Sequence, residues 1–186
     1  MKSSRKKWIL FSAFLVLIGL GSAFLLKLNS VSETPEVASR AKPAPPPPEN
    51  LEHELKELGV QLQKKPGHTP VLMRMAQIER EKGKLDDAAI HLREVVHNEP
   101  ENAEAHLELG RDLYEKGDLN GGITETEAVL KINPKQVDAL YNLGAIYANL
   151  GNAERARSYW TRAIQADPNA ESGRKARDGL TKIGGI

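Results

Sequence analysis

VDALYNLGAIYANLGNAERARSYWTRAIQADPNA, residues 137–170, holds two apolar stripes divided by one glycine and closed by one proline. Leu140, Leu143 and Tyr147 fall at i, i+3 and i+7, so they line one face of a helix. Gly151 is expected to end that helix, because glycine supplies the left-handed conformation a helix C-terminus needs. Ala156, Trp160 and Ala163 form the second stripe, with Ala156 small enough to let the two helices approach. Asp167-Pro168 then stops the second helix, since a residue before proline is pushed out of helical geometry. A helical hairpin is predicted.

The same punctuation recurs on either side of this stretch. Gly83, Gly117 and Gly151 are evenly spaced, and Pro100, Pro134 and Pro168 keep the same step. With repeats at 69–102, 103–136 and 137–170, the third has the fullest pattern: Leu140, Leu143-Gly144, Tyr147, Ala156, Trp160 and Pro168. The second keeps His106, Leu109-Gly110, Leu113 and Pro134, but has Gly122 in the small-residue place and Thr126 in the aromatic one. The first reads Leu72, Met75-Ala76, Ala88, Leu92 and Pro100, with the polar Glu79 in the first aromatic place. A 34-residue period with these places filled is the signature of the tetratricopeptide repeat, and the chain resembles that family over 51–183.

The period also extends outward. Leu51, Leu55, Leu58 and Leu62 give 51–68 the look of an isolated second helix, capped by Asn50 with Lys64 and Lys65 at its negative end. At the other end, 171–186 is read as a capping helix and tail, with Ala176, Leu180 and Ile183 as a narrow stripe among charged residues. The fold class expected is therefore an all-α solenoid of three helical hairpins, with a preceding half-repeat helix, a terminal cap helix and one N-terminal transmembrane helix.

That last element rests on Trp8–Leu26, which carries no charge and as a helix would span about 28 Å, against a bilayer core of about 30 Å. Lys2, Arg5, Lys6 and Lys7 make 1–7 a basic tail, which by the positive-inside rule stays cytoplasmic and leaves the repeats outside. The expected location is a single-pass bacterial inner-membrane protein with its repeats in the periplasm. The competing reading is a signal peptide cleaved near Gly21-Ser22-Ala23, which would release the repeats into the periplasm. Gly19 and Ala23 have the small-xxx-small spacing through which two anchors can pair as a homodimer. Between anchor and repeats, 27–50 includes Lys42-Pro43-Ala44-Pro45-Pro46-Pro47-Pro48, a polyproline spacer or alternatively a ligand for a proline-binding module.

Composition excludes several kinds of chemistry. The chain has no cysteine, which removes disulfides, thiolate metal sites and cysteine nucleophiles together. Its net charge of +1 over 186 residues, with no single-sign stripe, gives no reason to expect nucleic acid. No two histidines have zinc-site spacing, and Asp118-x-Asn120 opens like a calcium loop but lacks the closing glutamate, with Val129 in that place. No nucleophile elbow or phosphate-binding loop occurs, so no metal, cofactor or catalytic residue is expected and the chain is read as a non-enzyme.

What the resemblance implies is a binding surface. In the family, the first helices of successive repeats, here 69–82, 103–116 and 137–150, line the concave side and hold a protein or peptide partner. The groove places hold Met73, Gln77 and Arg80, then Leu107, Arg111 and Tyr114, then Tyr141, Ala145 and Ala148. For Tyr114 and Tyr141 the alternative is packing between repeats. Family members that grip acidic chaperone tails use cationic and amide side chains at places that hold Met73, Gln77, Glu108, Asp138 and Asn142 here, so a terminal-carboxylate clamp is not expected. The function read from this is a membrane-anchored scaffold or adaptor docking a partner in assembly of a membrane or envelope complex. The alternatives are a chaperone of the cytochrome c maturation type and a self-assembling array.

Overall fold

Each glycine of the repeat period turns a helix back on itself. Gly83, Gly117 and Gly151 have φ of 75°, 87° and 73°, the left-handed region that glycine enters without steric cost. The structure, a computed structural model, describes residues 48–184. Among these it has eight helices: α1 (Pro48–Lys64), α2 (Thr69–Glu81), α3 (Leu85–Asn98), α4 (Ala103–Glu115), α5 (Leu119–Ile132), α6 (Val137–Asn149), α7 (Ala153–Ala166) and α8 (Glu171–Lys182). The hairpins α2–α3, α4–α5 and α6–α7 are the three repeats expected from sequence, and α2, α4 and α6 start where the repeats do. Trp8–Leu26 and most of the proline-rich linker lie outside the described residues. None of the described helices is long and apolar enough to cross a membrane.

Side chains at the turns close the helix starts. Asn102, Asp118, Gln136 and Asn152 each accept a hydrogen bond from the backbone N–H three residues on, at 2.7–3.0 Å. Asp118, the first residue of the rejected calcium loop, is thus a helix cap. Asn50 is not one, contrary to the sequence reading: α1 starts at Pro48, whose missing N–H suits a first turn, so Asn50 already lies inside the helix. The linker correspondingly ends before Pro48.

The core runs along the stack as a chain of small clusters. Leu72, Leu92, Leu109, Leu140 and Leu143 are fully buried at the register the period assigns them. Helix approach within each hairpin is set by small residues. In the third repeat a methyl on Gly144 would collide with the Trp160 ring. In the second, a methyl on Gly110 would stand 2.7 Å from Thr126 Oγ1. Thr126, out of place in the pattern, is completely buried and donates to the Gly122 carbonyl at 2.6 Å, so α4 and α5 close up around the smaller side chain. Glu79 is also buried, with Lys84 Nζ 3.8 Å from its Oε2, beyond hydrogen-bond reach.

α8 does more than shield an end. It begins one full period after the start of α6, packs on both α6 and α7, and buries Ala176 and Leu180. Its Gly179 lies against the six-membered ring of Trp160, where a methyl would come within 2.8 Å of Cη2. α8 therefore stands in the place of the first helix of a fourth repeat.

Candidate functional site

With α8 in that place, α4, α6 and α8 stand side by side, and a cleft of about 460 Å³ opens across them. α4 contributes Arg111, Tyr114 and Glu115, α6 contributes Asp138, Tyr141, Asn142 and Ala145, and α8 contributes Glu171, Ser172 and Lys175. Tyr141 is half-buried, and its backbone oxygen accepts from Trp160 Nε1 at 3.2 Å, so the core fixes the stretch of α6 from which the tyrosine projects. The Tyr114 hydroxyl accepts from Asn149 Nδ2 at 2.5 Å, joining the second and third repeats at the cleft rim. Asn142 Nδ2 is buried with no acceptor.

The cations of the cleft are matched within their own helices. Arg111 Nη1 lies 3.1 Å from Glu108 Oε1, and Lys175 Nζ lies 2.6 Å from Glu171 Oε1. Hydrogen bonding to Lys175 holds the Glu171 carboxyl below its usual range, and the same contact raises Lys175. Asp138 accepts from Ser172 Oγ and, at 3.3 Å, from Gln136 Nε2, both neutral donors.

Four of the residues expected in the groove meet here: Arg111, Tyr114, Tyr141 and Ala145. The others have different surroundings. Leu107 is buried, 8% exposed, in a cluster with Val129 and Ala139, so it belongs to the inter-repeat core. Met73 packs half-buried against the clusters of the first two repeats, and Ala148 against that of the third. Gln77 is exposed and donates to Glu81 at 3.0 Å. Arg80 is committed to α4: its Nε donates to Asp112 Oδ1 at 2.6 Å and its Nη1 pairs with Glu108. Burial is the largest influence on both Arg80 and Asp112 and opposes charge on each. Two carboxylates outweigh it at Arg80, whose pKa is raised, whereas at Asp112 the one guanidinium does not, and burial pushes that carboxyl up.

Glu115, Glu171, Ser172 and Lys175 were not singled out from sequence as groove residues. The signal for the last three was the register itself, since Glu171 follows Val137 by one period, but a polar helix after the last proline reads more readily as a cap. His106 takes the core place expected of it, with Nδ1 2.7 Å from Glu125 Oε2 and Nε2 3.0 Å from the Pro100 carbonyl. Among the described residues no three His, Asp or Glu side chains gather to hold a metal ion.

Helical hairpins stacked in register, with a cleft across their first helices, define a solenoid of the helical-repeat class. The tetratricopeptide repeat profile matches residues 73–125 and 107–171, more than half of the chain, and the chain belongs to that family. It is 29% identical over 98 residues to Protein CTR9 homolog of Arabidopsis thaliana, and 28% identical over 106 residues to Cellulose synthase 2 operon protein C of Komagataeibacter xylinus. These matches take in 50% and 55% of this chain but 9% and 8% of the relatives, so the chain spans less than a tenth of the curated relatives it matches. Among solved structures it is similar to MamA, with a TM-score of 0.63 at 21% identity over 73% of this chain and 85% of that one. It is similar to YrrB, described as a tetratricopeptide repeat protein with an unusual peptide-binding site, with a TM-score of 0.63 at 22% identity over 70% and 67%. The first repeat domain of Spaghetti (RPAP3), bound to the HSP90 peptide SRMEEVD, gives a TM-score of 0.58 at 19% identity over 62% and 90%. At these identities the likeness is one of fold.

Proposed function

We propose that this protein is an interaction scaffold, without catalytic activity of its own, that seats a polypeptide partner in the cleft across α4, α6 and α8. The observation that carries this is the convergence of Arg111, Tyr114 and Tyr141 on one open cleft. Tyrosine and arginine bury large area at small entropic cost while keeping a polar tip, and they dominate binding hot spots. An amide with an unsatisfied donor, as in Asn142, also gains a hydrogen bond by turning toward a ligand carbonyl. The peptide-binding sites of YrrB and RPAP3, in solenoids of the same fold, support the same use of such a surface.

The test is a single substitution in the full chain. Tyr141→Ala should weaken partner capture by about 1–2 kcal/mol while leaving the melting temperature within a few degrees of wild type. A variant that captures its partner as well as wild type refutes the cleft as the site.

The uncharged Trp8–Leu26 and the basic residues before it support a membrane setting, with the cleft held outside the cytoplasm on a proline-rich spacer. In that setting the scaffold serves assembly of a membrane or envelope complex. Cell fractionation with carbonate washing checks it: the protein should stay with membranes and retain its N-terminal residues. Release into the wash, with a mature N-terminus after Ala23, would show a cleaved signal peptide instead.

A further inference from the structure

We propose that the cleft selects a cationic side chain, a lysine or arginine carried on an extended segment of the partner; this rests on the reading of the cleft as a polypeptide site. Three carboxylates line the cleft, Glu115, Asp138 and Glu171, against two cations, Arg111 and Lys175. Each cation already has a carboxylate partner within its own helix, Glu108, which also pairs with Arg80, and Glu171. That leaves Glu115, which has no ion pair among the described residues, and Asp138, whose hydrogen-bond donors are all neutral. The uncompensated charge of the cleft is therefore negative, and it is supplied by α4 and α6, the two helices that also present Tyr114 and Tyr141.

Carboxylates beside tyrosine rings form a cation site. A lysine ammonium or arginine guanidinium over a tyrosine face is attracted by the ring quadrupole, and nearby carboxylates add to the attraction in a partly desolvated cleft. An anionic side chain would meet Glu115 and Asp138, while Arg111 and Lys175 are each already engaged by a carboxylate, and like-charge contact of this kind suppresses wrong partners. The charge selected is opposite to that of the two adjacent glutamates in the SRMEEVD peptide on RPAP3. Asn142 Nδ2 is buried without an acceptor, and rotation of this amide toward a partner's backbone carbonyl would favour a chain over a free amine.

The experiment selects random dodecapeptides displayed on phage against the full-length protein, then titrates synthetic versions of the enriched sequences. The expected result is enrichment of Lys and Arg over Asp and Glu, with affinity that falls as salt rises. Glu115→Lys, at an exposed position where folding is not at stake, should weaken binding about tenfold or more. Tyr141→Ala should weaken it as well. Peptides that lose binding on Tyr141→Ala but carry no Lys or Arg, or that ignore Glu115→Lys, overturn the cationic preference and leave the cleft as a polypeptide site. Failure to select any peptide, or selection only of peptides indifferent to Tyr141→Ala, overturns both readings.

Discussion

Trp160 is wedged between two glycines, Gly144 of α6 and Gly179 of α8, and donates its indole N–H to the Tyr141 carbonyl. Trp160→Ala would empty the space between three helices, and should cost about 3–5 kcal/mol, seen as a lowered melting temperature. Gly144→Ala should destabilise by about 1–3 kcal/mol through overpacking, because the new methyl meets the ring itself. Both figures are checked by denaturant unfolding, and a Gly144→Ala protein as stable as wild type would mean that α6 and α7 can slide apart. Arg80 provides a third residue-scale prediction. Arg80→Met leaves Asp112, which has no solvent exposure, without its cation, and should cost about 3–5 kcal/mol at neutral pH. A carboxyl whose folded pKa is raised contributes stability below its unfolded pKa and loses it as pH rises through the folded value. The deficit of Arg80→Met should therefore narrow on acidification, as Asp112 takes up a proton. A deficit unchanged with pH would mean that Asp112 finds another partner.

Between elements, the repeats are joined by ionic ties that follow the period. Lys82 at the end of α2 reaches back to Glu52 of α1 at 2.6 Å, and one period on, Lys116 reaches back to Asp86. The next register holds Leu150 and Asn120, so the tie is missing and Leu150 is left exposed. Exposed pairs of this kind contribute little to stability, so order between hairpins rests on packing. The weakest element should be α5, where Gly121 and Gly122 each cost about 1 kcal/mol relative to alanine. Amides of 123–131 should exchange faster with deuterium than those of 155–166, and equal protection would mean that the close α4–α5 approach offsets the glycines. The hairpins were legible in the sequence because a turn glycine, a stop proline and an apolar face are local signals repeated three times. The beginning of α1 was not legible, since a proline in a proline run reads as spacer although its geometry also suits a helix start. The close fit around Thr126 was hidden too, because it depends on Gly110 lying opposite in the neighbouring helix.

For the molecule, the groove was legible in part. The register pointed to α2, α4 and α6, and of the residues it put in the groove Arg111, Tyr114, Tyr141 and Ala145 line the cleft, to which α2 contributes no side chain. It could not show that Arg80 is drawn into α4 or that Leu107 is covered by Val129 and Ala139, because both depend on contacts between helices. Nor did it reveal α8 as a wall of the cleft, since a helix with two buried apolar side chains resembles a solvated cap. The apolar N-terminal span, outside the described residues, bears on where the molecule sits and not on what its cleft can hold. The cleft itself is best interrogated by site-specific photo-crosslinking in the host, with a benzophenone side chain at position 141 on the cleft and, separately, at the exposed Ile90 of α3. A discrete crosslinked partner is expected from position 141 and none from position 90. The same partner captured from position 90 but not from 141 would contradict the cleft as the site.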